Sequence, residues 1–106
     1  MDNKNDGIDE VINEYVKCVN ERYKPKAIYI YGSYAKNTAN EYSDVDIAIV
    51  VEPMSIESYM ELFGKLFGLT SGFKIKIEPH LIEDDGEYDR FSFLAEVMET
   101  GRLIKV

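Results

Sequence analysis

The stretch Val45–Val51, VDIAIVV, constrains the fold more than any other part of the chain. Its β-branched and apolar side chains make it the strongest strand in the sequence. Glu52-Pro53 closes it, because proline cannot donate to a continuing ladder.

Around that strand the remaining elements read off by periodicity. Ile8, Val11, Ile12, Tyr15, Val16 and Val19 recur at helical spacing, which predicts a helix from about 7 to 23. Asp6 is available as its cap, and Asp9 and Glu10 suit its first turn. Pro25 ends this helix, and Ala27 to Tyr31 (AIYIY) reads as a short buried strand. After the VDIAIVV strand, Ser55 is positioned to cap a second helix. That helix carries Ile56, Tyr59, Met60, Phe63, Leu66 and Phe67 as expected core, with Gly68 at its end. FKIKIEPHLI, residues 73–82, alternates apolar and polar like a strand with one wet face, and Pro79 marks it as an edge or its finish. Phe91, Leu94, Val97 and Met98 predict a last helix stopped by Gly101, and the terminal RLIKV suits a short strand. The order is α-β-loop-β-α-β-α, an α/β fold with a small sheet. The twelve residues from Gly32 to Ser43 allow either parallel or antiparallel pairing of the strands they join.

A length of 106 residues and 45% hydrophobic content predict one folded domain spanning 1–106. No stretch approaches the ~18 apolar residues of a membrane span, and the acidic start MDNKNDGIDE is unlike a signal peptide, so the protein is expected in the cytoplasm. A lone Cys18 and a single His80 exclude an internal disulfide and a zinc pattern. The net charge of −8 repels phosphate backbones, so no direct nucleic acid binding is expected. A metal-dependent site or a basic protein partner suits that charge.

The chemistry concentrates in YGSYAKNTANEYSDVD, residues 31–46. Side chains two apart on a strand share a face with Cα atoms about 6.6 Å apart, so Asp44 and Asp46 aim together. An oxygen-only pair suits Mg²⁺ or Mn²⁺ better than zinc, and such ions complete their shell with substrate phosphates. Gly32-Ser33 can supply the phosphate site: the glycine permits a sharp turn and close approach, exposed N–H groups form an anion cradle, and Ser33 adds a hydroxyl. Lys36 is near enough to screen phosphate charge. The acidic run Glu83, Asp84, Asp85, Glu87 and Asp89 lacks calcium-loop spacing and reads as a solvated turn.

Gly-Ser, ten residues, then Asp-x-Asp, with Ala35 and Ser43 in their usual places, closely resembles the minimal nucleotidyltransferases of the polymerase-β-like superfamily. The resemblance covers nearly the whole chain and implies a small mixed sheet flanked by helices. It further implies that Gly32 and Ser33 hold a nucleotide triphosphate and that Asp44 and Asp46 bind two Mg²⁺ ions. In the family a third carboxylate on a later strand completes the site. The alternation places Lys74, Lys76, Glu78 and His80 on the polar face, so Glu78 is the acid able to serve, where the family usually has aspartate. Asn37 likewise stands where glycine is common. His80 and Lys76 read as surface residues within reach of substrate.

Such resemblance implies transfer of AMP from ATP to a protein hydroxyl. Small proteins of this kind commonly serve as antitoxins that modify a tyrosine of a HEPN-type helical ribonuclease toxin, forming a hetero-oligomer. The alternative is a degenerate domain that neutralises its partner by contact alone, and a Mg²⁺-dependent phosphohydrolase is a third expectation.

Overall fold

A computed structural model describes residues 5–32, 44–73, 75–86 and 92–105. Helix α1 spans Asn5–Tyr23, and β1 follows over Ala27–Tyr31. The sequence places Asp6 as the cap, but the helix already includes it. Lys24 takes a left-handed backbone (φ 47°) with its N–H on the Asn20 carbonyl at 3.1 Å, closing the helix immediately before Pro25. Strand β2 is Val45–Val51, as its composition predicts.

Helix α2 runs Ile56–Leu69, and Ser55 caps it: its hydroxyl accepts from the Ser58 N–H at 3.1 Å. Gly68 lies inside the helix, and Thr70 is the C-cap. A 3₁₀ turn over Thr70–Gly72 follows, so β3 begins at Ile77 and ends at Glu83, later than the alternation from Phe73 suggests. Helix α3 is Phe93–Thr100, capped by the Ser92 hydroxyl, and β4 is Arg102–Lys105. Gly101 joins them because there is no room for a side chain: a Cβ there would lie 2.5 Å from the Val97 carbonyl oxygen and 3.0 Å from that of Ile30.

The four strands form one mixed sheet in the order β3-β2-β1-β4. The pairing left open by sequence resolves as antiparallel for β1 with β2 and β1 with β4, and parallel for β2 with β3. Strand β3 is an edge, which tolerates the missing N–H of Pro79.

One face of the sheet carries the main core. Ile28 and Ile30 of β1, Ile47 and Ile49 of β2 and Leu81 of β3 pack there against Ile12, Tyr15, Val16 and Val19 of α1 and Leu66 of α2. Tyr15 is fully buried, and its Oη donates to the Leu66 carbonyl at 2.9 Å, tying α1 to the last turn of α2. Tyr59 Oη does the same to Leu81 at 2.6 Å.

The expectation that the six apolar residues of α2 are core holds for two of them. Leu66 is buried and Tyr59 half-buried, whereas Ile56 (77%), Met60 (66%), Phe63 (38%) and Phe67 (53%) are exposed. The apolar arc of α2 is wider than the strip of sheet it can touch. Met98 of α3 is likewise exposed, while Leu94, Ala95 and Val97 are buried.

Candidate active site

The opposite face of the sheet is where the carboxylates gather. Along β2 the buried Val45, Ile47 and Ile49 alternate with Asp46, which is half-buried. Register then sets its neighbours. Asp46 pairs with Tyr31 across β1 and with Glu78 across β3, so the three side chains form one row over three strands. The next row is Tyr29, Ala48 and His80. Asp44 stands just before β2, two residues from Asp46, beside the point where the Val45 N–H meets the Lys76 carbonyl at 2.9 Å.

Gly32, the residue after β1, lies hard against this row. Its φ of 75° is in the left-handed region, and a Cβ there would sit 2.6 Å from Asp46 Oδ2. Only glycine satisfies both conditions. The start of the Gly-Ser loop thereby passes close against the Asp46 carboxylate. Ser33, Ala35, Lys36, Asn37, Ser43, Lys74, Glu87, Asp89 and Phe91 lie outside the described residues.

Two basic side chains face the aspartates. Lys76 Nζ is 3.7 Å from Asp44 Oδ2, and His80 Nε2 is 3.4 Å from Asp46 Oδ1. His80 is not the plain surface residue that alternation suggests: its Nε2 is buried and makes no hydrogen bond, and its ring packs edge-on against Tyr31 at 5.3 Å. Phe93, the first residue of α3, closes the group from above at 5.5 Å from Tyr31 and 6.1 Å from His80. Burial pushes the Tyr31 hydroxyl pKa well up, and the charges of Asp46, Glu78 and Glu96 push it the same way. Tyr31 therefore remains a neutral phenol beside the acids. Sequence reading missed Tyr31 and Phe93; the position of Tyr31 as the strand residue directly before Gly32 was the available signal.

Asp44, Asp46 and Glu78 offer oxygen alone, the donor type that a hard divalent ion takes. Among the described residues no three acidic, histidine or cysteine side chains converge tightly enough to hold a metal. Asp44 is turned toward Lys76 and Asp46 toward His80. The donor chemistry and shared face fit a cation, and side-chain rotation from these two partners is what loading requires. Among the described residues no helix is long and apolar enough to cross a membrane.

Comparison with known proteins identifies the family of the chain. Residues 12–100 match the family described as "Nucleotidyltransferase domain". Relatives in Methanocaldococcus jannaschii include "Putative protein adenylyltransferase MJ0126", 40% identical over 72 residues, covering 67% of this chain and 70% of that one. "Putative protein adenylyltransferase MJ0604" is 30% identical over 101 residues, covering 91% of this chain and 96% of its own. The fold is similar to a chain in a solved structure described as "Crystal structure of the toxin-antitoxin with AMP-PNP", with a TM-score of 0.50 and 20% identity over 95% of this chain and 72% of that one. With a matching model over residues 12–100, the chain belongs to the nucleotidyltransferase domain family and has the form of its minimal members.

Proposed function

We propose that this domain, acting in the cytoplasm as a single unit over residues 1–106, transfers AMP from ATP to a hydroxyl on a protein, a tyrosine of a HEPN-type ribonuclease toxin. The observation that carries the reading is the packing of Gly32 on Asp46, with Glu78 in register beside it. It joins a phosphate-binding turn to a row of carboxylates. The names of the M. jannaschii relatives support a protein acceptor, and the toxin–antitoxin similarity with an ATP analogue supports both nucleotide and partner.

In the reaction the acceptor oxygen forms a bond to the α-phosphorus, the bond from that phosphorus to the bridging oxygen breaks, and pyrophosphate leaves with the electron pair. The acceptor proton passes to solvent. Gly32 and Ser33 hold the triphosphate through backbone N–H groups and the hydroxyl, and Lys36 offsets phosphate charge. Asp44, Asp46 and Glu78 would hold Mg²⁺. When bound, the ions lower the acceptor hydroxyl pKa and neutralise charge on the leaving group. Tyr31 and Phe93 pack edge-on beside the carboxylate row.

Incubating the purified protein with labelled ATP, Mg²⁺ and a co-expressed toxin tests this. With the label in the AMP part, label on the toxin, dependent on Asp46, is the expected result; labelled AMP or ADP released with no acceptor would point to hydrolysis instead. A second reading, neutralisation by contact alone, draws on the unconverged carboxylates and on glutamate at position 78. It expects full inhibition of the toxin without ATP.

A further inference from the structure

We propose that the outer face of α2 is the docking surface for the toxin partner, which lays a basic, apolar-striped helix along it. This rests on the reading that the chain acts on a protein partner. Ile56, Met60, Phe63 and Phe67 are spaced by four, three and four residues, so they line up within a narrow arc on one side of the helix. The stripe is about 17 Å long at 1.5 Å per residue. All four are exposed, and Phe63 and Phe67 already pair at a ring distance of 6.1 Å. Four large apolar side chains in one exposed row are uncommon on a surface without a partner.

The shape favours a helix as occupant. Gly64 and Gly68 lie immediately beside the stripe, and a Cβ at either meets nothing within 4 Å. The missing side chains leave room for a second helix backbone to approach along that side, between Glu57 and Glu61 and the end of the helix. A single strand or a flat sheet would leave the glycine flank uncovered.

The charge favours a basic partner over a second copy. Glu57 and Glu61 edge the stripe; near its N-terminal end Glu83 accepts from the Met54 N–H, and Glu52 is paired with Lys26 at 3.5 Å. Lys65 is the one lysine or arginine of α2, and Glu61 holds it at 3.1 Å. A second copy would bring a net charge of −8 against −8, which opposes association, whereas lysine or arginine flanking an apolar stripe complements it. Docking here also leaves the catalytic face open. Leu66 of α2 belongs to the core on one side of the sheet, while Asp46 and Glu78 lie on the other. The acceptor tyrosine then reaches the site from another part of the partner, or from a second partner molecule.

The test uses the full chain with the product of the adjacent gene. Ile56→Ser, Met60→Ser and Phe67→Ser are combined in one variant, with Met60→Lys as a second that sets a cation against the basic partner. Melting temperature confirms that both fold, and titration calorimetry gives the affinity. Weakening of the complex by at least ~30-fold in both, the scale of a lost interface hot spot, with ATP binding by the chain alone unchanged, is the expected result. Affinity within about threefold of the original overturns the proposal, as does the absence of any complex. A chain that is dimeric alone and becomes monomeric in the triple variant also overturns it in favour of self-association. Intact mass of the partner separates the two readings: a complex lost on stripe substitution but never carrying AMP leaves the docking surface standing and removes the transferase, and AMP transfer insensitive to the stripe does the reverse.

Discussion

Gly32 leaves open the space that Asp46 fills: the Asp46 Oδ2 atom lies 2.6 Å from where a Cβ on Gly32 would be. Gly32→Ala meets this overlap and a φ of 75° together. The carboxylate can swing away, so the clash itself is relieved cheaply, and the backbone strain costs about 1–2 kcal/mol. The larger effect is on the site, because the swing moves Asp46. AMP transfer should fall much further than the melting temperature implies; a variant that keeps full transfer would show that this contact is structural only.

Asp44→Asn and Asp46→Asn should each reduce transfer by ~100-fold or more, the consequence of losing charge where several kcal/mol of transition-state stabilisation originate. Neither should change the melting temperature much, since each removes one of two neighbouring like charges together with a long, partly exposed contact to Lys76 or His80 worth at most about 1 kcal/mol. Labelled-ATP assays beside thermal melts check both halves. Retained activity in either variant removes that residue from the metal set.

Glu78 stands directly across from Asp46 in the parallel register of β2 and β3. Glu78→Gln keeps the shape and loses the charge, so transfer should collapse. Glu78→Asp keeps the charge and pulls the oxygens back by about a bond length, so a measurable part of the activity should remain. Equal activity in Glu78→Gln and the original protein would show that the third carboxylate lies elsewhere.

Tyr15 supplies a hydrogen bond to the Leu66 carbonyl, one of the last four of α2 that the helix itself cannot satisfy. Tyr15→Phe should destabilise the fold by about 1–2 kcal/mol, by leaving that buried acceptor unpaired. Burial, with a smaller contribution from Tyr23, raises the Tyr15 pKa well above its ordinary value. The folded state therefore holds the phenol proton more tightly than the unfolded one. Its contribution to stability is complete below pH ~10 and is lost as pH rises from there toward the folded pKa. Melts between pH 9 and pH 12 should show a weaker alkaline decline in Tyr15→Phe.

Elements built from local preference were legible in the chain. The VDIAIVV run, the AIYIY run and the Ser55 cap appear where composition and capping chemistry place them, because each depends on neighbours a few residues away. The Gly-Ser and Asp-x-Asp pair was legible for the same reason, as a spacing within sixteen residues, 31–46. The alternation that singled out Glu78 was also local.

What alternation could not decide was which strands lie side by side. Whether β1 and β2 run antiparallel while β2 and β3 run parallel depends on chain crossing through α2 and on burial shared among distant segments. That register is what seats Glu78 and Tyr31 on either side of Asp46 and draws His80 and Phe93 into the same cluster. The fate of the α2 apolar face was equally a tertiary matter. Periodicity reports that a side is apolar, but only the width of the sheet and the position of α1 decide how much is covered. Leu66 reaches the core, and Met60 and Phe67 are left in solvent, because a helix buries only the arc that its neighbours can touch.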